Sequence, residues 1–176
     1  MLHLAITRLA QGTALLGGAV LIALVCIICA SITGREVIGL AGTGALHSFL
    51  RQIGIGPVTG DYELVEAGMA FAVFSFLPLT QLTQSHARVD IFTSGLGPRT
   101  NAALGAFWSV VMAAVILLIT WRLYAGMQDK LRYNETTFLI QFPVWWAYAA
   151  CLAAAVVACI TSLYCAALRL TGRRIG

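Results

Sequence analysis

His86, Arg88 and Asp90 fall within five positions of the stretch "QSHARVDIFTSGLGPR", residues 84–99, which separates two long apolar runs. A histidine one helical turn before an aspartate can share a hydrogen bond with it, the arrangement that orients an imidazole for proton relay or general-base chemistry. At a water-exposed turn the same pair fixes the shape of the chain, and that is the role expected here. A second candidate follows Asp61, where Glu63 and Glu66 stand at i and i+3. Two carboxylates so spaced suit an ion site. They equally suit the start of a helix, with Asp61 capping a helix that begins near Tyr62 and the glutamates in its positive first turn. The helix-start reading is sufficient. Five cysteines complete the inventory: Cys26 and Cys29 in one apolar run, and Cys151, Cys159 and Cys165 in another. A thiolate ligand or nucleophile needs a cationic or polar neighbour, and none is near in sequence, so these read as small apolar packers. No catalytic, cofactor-binding or metal-binding set emerges, and an enzyme is not expected.

The elements that carry these residues follow from composition. Of 176 residues, 60% are hydrophobic and 10% charged, against roughly 25% charged in a soluble domain. The charges are clustered, which leaves residues 9–34, 67–87, 100–121 and 136–168 free of Asp, Glu, Lys and Arg. A helix needs about 20 apolar residues to cross a hydrocarbon core of about 30 Å, and each window is long enough. The predicted fold is an all-α integral membrane protein: one domain over 1–176, with spans near 10–33, 64–84, 100–124 and 141–167. The first apolar stretch is far longer than the hydrophobic region of a secretory signal, about 7–15 residues, and reads as a retained span.

The connections add detail. Between spans one and two, Leu46, Phe49, Leu50 and Ile53 recur at i, i+3, i+4 and i+7, with His47, Arg51 and Gln52 on the other face. This spacing predicts a short amphipathic helix, lying in the interface plane or folded back onto the protein itself, within a segment 34–60 that stays outside the bilayer. Pro78 falls inside the second span and should bend it. In the fourth span Ala150, Ala154, Ala158, Ser162 and Ala166 recur every four residues, a small-residue ridge for close helix packing. Trp145 and Trp146, with Trp121 and Tyr124 of the third span, form the expected interfacial belt. The terminal segments and the 85–99 hairpin carry six basic residues and the other side five. The compact arginine tail, Arg169, Arg173 and Arg174, places both termini and the hairpin in the cytoplasm and segment 34–60 in the periplasm.

A four-span chain with "HARVDIF" at its inner hairpin, "GDYELVEAG" leading into the second span and "FPVWWAY" opening the fourth resembles the small membrane subunit, the DctQ family, of the tripartite ATP-independent periplasmic (TRAP) transporters. The resemblance covers about residues 10–168. Ser85 stands where that family often has glycine, and Tyr62-Glu63 where it often has tryptophan and paired acids. It implies a bacterial inner-membrane subunit that transports nothing alone. Its partners would be the lipid bilayer, a large TRAP membrane subunit that carries the sodium and substrate sites, and a periplasmic binding protein that delivers an organic acid. It implies no cofactor and no nucleic acid. The small subunit would brace the large one, with His86, Arg88 and Asp90 shaping the hairpin. Two other classes compete. A stand-alone small transporter or channel would ordinarily need charge at a span's centre. A tetraspan redox anchor would need axial histidines, but His3, His47 and His86 all fall outside the spans.

Overall fold

A computed structural model describes residues 2–40, 42, 56, 58–83 and 98–171. Four helices account for nearly all of them: α1 (Leu2–Leu40), α2 (Asp61–Thr83), α3 (Pro98–Arg132) and α4 (Val144–Leu170). All four are long and apolar enough to cross a membrane. The protein is an all-α, multi-pass membrane protein.

The helices outrun the apolar windows that located them. The 39 residues of α1 span about 58 Å, nearly twice a hydrocarbon core. Hydropathy finds the lipid-embedded part of a helix, whereas backbone hydrogen bonding continues wherever nothing interrupts it. Thus α1 continues through Arg35 and Glu36 into the segment expected to be non-membranous. α3 likewise continues past Tyr124 to Arg132. α4 starts later than expected, at Val144, because Pro143 (φ −63, ψ 115) is held extended and forms an antiparallel bridge with Thr136. The predicted amphipathic helix around Leu46–Ile53 lies outside the described residues.

Packing does not follow chain order. α1 packs on α2, α2 on α4, and α4 on α3, while α2 and α3, consecutive in sequence, show no close backbone approach among the described residues. α4 is therefore wedged between them. Its buried residues include Cys151, Ala154, Ala158, Thr161, Ser162 and Cys165, a stripe wide enough to face two neighbours at once. Ala150 departs from the expected ridge and is exposed. The other four members, Ala154, Ala158, Ser162 and Ala166, are buried; each i+4 step advances about 40° beyond a full turn, which leaves Ala150 at the edge of the packed face. The buried stripe also contains a seven-residue repeat, Cys151–Ala158–Cys165, the period of left-handed membrane packing.

The same period runs along α1, where Ala10, Gly17, Leu24 and Ser31 are buried at seven-residue intervals. Small residues set the helix separation. A methyl group on Gly17 would lie 2.7 Å from Ser75 Cβ, and one on Gly68 would lie 2.8 Å from Leu24 Cδ1. Hydroxyls within the helices are satisfied locally: Ser75 donates to the Phe71 carbonyl, Thr120 to Ile116, and Thr161 to Val157 and Ala158. No hydroxyl among these presents an unpaired donor to the apolar surroundings. Pro78 sits buried inside α2 without ending it.

Candidate interaction site at the acidic end of the bundle

The end of the bundle where α2 and α4 begin holds six of the seven acids. Gly60, at φ +80, turns the chain into α2; this left-handed conformation is cheap only for glycine. Asp61, the first helical residue, then accepts the Tyr62 N–H at 2.8 Å. Its other oxygen accepts the Ser31 hydroxyl of α1 at 2.6 Å, and Arg35 Nη2 stands 3.9 Å away. Ser31 Oγ in turn accepts the Val58 N–H at 3.2 Å. The Ser31 bond is the main influence holding the Asp61 carboxyl below its ordinary range; partial burial opposes it, and Tyr62 N–H and Arg35 add to it. Asp61 thus does more than begin a helix. It ties α2 to α1.

Glu63 ties α2 to the connection between α3 and α4. Its carboxylate accepts the Leu139 N–H at 2.6 Å and the Ile140 N–H at 3.0 Å. Partial burial pushes this carboxyl up, but the two N–H groups, with the Thr137 hydroxyl and Phe138 N–H, outweigh it and hold it below the usual range. The connection is internally braced as well. Thr137 N–H donates to the Phe142 carbonyl at 2.9 Å and Phe142 N–H to Thr137 Oγ1 at 3.0 Å. Lys130 pairs with Glu135 across the base of the turn. Ile140 side-chain carbons press on Gly60, where any larger residue would collide. Phe138, at the tip, is 96% exposed.

A cavity of about 330 Å³ opens at this end between α2, α4 and the connection that follows α3. Glu63, Glu66, Ala67, Ala70 and Phe74 of α2, Leu123 of α3, and Tyr148 and Cys151 of α4 line it. Glu66 is exposed and makes no ion pair among the described residues. Of the three acids expected at the helix start, Asp61 ties α2 to α1, Glu63 ties it to the α3–α4 connection, and Glu66 lines the cavity without an ion pair among the described residues. No signal in the sequence links Glu63 to a segment 76 residues away.

The aromatic belt is only partly level. Trp145 and Trp146 meet at a tilt of 52° with ring centroids 5.5 Å apart, and Phe142 meets Trp146 edge-on at 6.4 Å. Gly126 faces Tyr148 and Gly105 faces Arg169, a register that sets Trp121 beside Ala153, about 10 Å deeper than Trp146. Trp121 and Trp146 are both exposed. At the opposite end, Cys165 Sγ meets the Gln81 carbonyl at 3.7 Å, and the buried Gln81 amide nitrogen has no partner among the described residues. His86, Arg88 and Asp90 lie outside the described residues. Among the described residues no three His, Cys, Asp or Glu side chains gather as a metal site would require.

A packed tetraspan unit with an ordered acidic end suits assembly with another protein, and comparison with known proteins agrees. The family model for the DctQ component of the tripartite ATP-independent periplasmic transporters matches residues 24–172. The chain belongs to the DctQ family. It is thus a TRAP transporter component, and the match takes in all of α2, α3 and α4 and the part of α1 that packs at the acidic end. No curated protein matches the chain.

Proposed function

We propose that this DctQ protein is the small permease subunit of a sodium-coupled TRAP transporter, bracing a large membrane subunit for uptake of an organic acid delivered by a periplasmic binding protein. The wedging of α4 between α2 and α3 carries the reading. A helix packed on both sides through small residues resists sliding, because interdigitated side chains must unpack before either neighbour can move. The ties from Asp61 and Glu63 fix the start of α2 to α1 and to the connection between α3 and α4. A unit of this kind is suited to stand still while its partner moves. In the bacterial inner membrane the arginine tail orients both termini to the cytoplasm, so the acidic end faces the periplasm, where the binding protein docks.

Within this reading His86 and Asp90 hold the cytoplasmic hairpin between α2 and α3 in one shape. A partly buried hydrogen bond that orients a turn is worth about 1–3 kcal/mol, whereas an exposed ion pair is worth about 0–1 kcal/mol. Asp90→Ala should weaken assembly while the isolated subunit still inserts. Asp90→Asn should do less harm, since it keeps an acceptor.

Affinity purification from native membranes tests the proposal. A large polytopic protein should accompany the chain in constant ratio. Recovery as a self-oligomer that conducts solute, or with the absorption spectrum of a haem, would replace it with one of the rival readings.

A further inference from the structure

The cavity at the acidic end has a direction. On α2 its lining runs from Glu63 to Phe74, eleven residues farther on, which is about 16 Å along the helix. α4 lines it from Val144 to Cys151. Both helices start at this end and still meet at Gln81 and Cys165, so they run side by side in one direction. Both are long and apolar enough to cross a membrane. The cavity is therefore a slot parallel to the helix axes, leading from the membrane interface toward the bilayer centre.

Its polarity changes along that path. Among its lining residues the charged ones are Glu63 and Glu66, in the first two turns of α2. Farther in, the α2 wall is Ala67, Ala70 and Phe74. Glu63 already accepts the Leu139 and Ile140 N–H groups. Glu66 is exposed and has no ion pair among the described residues.

Shape limits the occupant. One turn of helix with its side chains, about 10 Å across and 5.4 Å high, takes up about 400 Å³. The whole slot holds about 330 Å³, so no helix enters it. A side chain from a neighbouring helix could cross the mouth but is too short to follow the slot inward. An extended hydrocarbon chain is both thin and long enough. Water is a poor filler below Glu66, where the walls offer it few partners, and an empty slot would forfeit the contacts of its lining.

We propose that the slot binds one acyl chain of a phospholipid with an ammonium headgroup, as in phosphatidylethanolamine, and that the ammonium meets Glu66. Such a lipid has the polarity of the slot, charged at the interface and apolar inward. Its ammonium offers three donors to a carboxylate. Phosphatidylglycerol offers no cation and would set its phosphate against Glu63 and Glu66. Lipid binding here needs no large subunit, so it stands apart from the bracing role.

Native mass spectrometry tests the site, on the full chain reconstituted into vesicles of equal phosphatidylethanolamine and phosphatidylglycerol and re-extracted in mild detergent. Wild type should retain one phosphatidylethanolamine per chain, preferred about tenfold, the scale of one charge-assisted hydrogen bond. Glu66→Gln should remove most of that preference. Ala70→Trp, at an exposed position of the wall, should fill the slot and lower lipid retention about tenfold, with helix content by circular dichroism unchanged. In whole membranes a diazirine analogue of leucine at Leu123 should give an adduct of phospholipid mass. Equal retention of the two lipids by wild type would contradict the site, as would a preference that survives Glu66→Gln or full retention in a folded Ala70→Trp chain. An adduct from Leu123 to a second protein would assign the slot to a partner's side chain and overturn it as well.

Discussion

Glu63 decides the order of the acidic end, because one carboxylate satisfies two backbone N–H groups of another connection. Its carboxyl is held below the usual range, so it binds fewer protons folded than unfolded. The stabilisation it gives is accordingly present above the ordinary glutamate range and is lost as pH falls through the depressed folded value. Hydrogen exchange at the Leu139 and Ile140 amides reads this directly. Near neutral pH both should exchange faster in Glu63→Ala than in wild type, and less so in Glu63→Gln, which keeps an uncharged acceptor. The difference between wild type and Glu63→Gln should shrink in acid. A difference that persists after Glu63 protonates would show that the side chain acts through shape alone. The composition of α2's first turn marked Glu63 as favourable to a helix start, which is a local property. The tie to Leu139 and Ile140 is not local, and no sequence spacing announces it.

At the level of elements the legible part was periodic. Charge-free windows located four helices, and small residues marked α4 as a packing helix. The windows did not give the helix ends, since Arg35, Tyr124 and Asp129 are polar yet remain helical. They also did not give the neighbours of α4: a stripe of Ala, Ser, Thr and Cys shows that something approaches closely, not what. The seven-residue seam makes an unequal demand on two similar alanines. Ala158 is 0% exposed, whereas Ala150 lies on the outer surface. Ala158→Leu should cost at least about 1–3 kcal/mol through overpacking between α2 and α4. Ala150→Leu should fall within about 0.5 kcal/mol of wild type, as surface changes do. Denaturation of the purified chain in a mild detergent separates them. Equal losses would mean that Ala150 is packed as closely as Ala158.

For the whole molecule, composition alone dictated a membrane protein, and the family match makes it a component of a three-part transporter. Its orientation rests on the arginine tail. A reporter fused after residue 57 should report the periplasm and one after residue 96 the cytoplasm, and the reverse pair would invert the assignment. On the proposed reading, function is less legible in this chain because a subunit that braces another carries its specificity in surfaces rather than in a reactive cluster. Solute flux into proteoliposomes tests the central claim most directly. Under an inward sodium gradient this chain alone should show no uptake of an organic acid, and adding the large subunit and the loaded binding protein should establish it. Sodium-driven uptake by this chain alone would contradict the account.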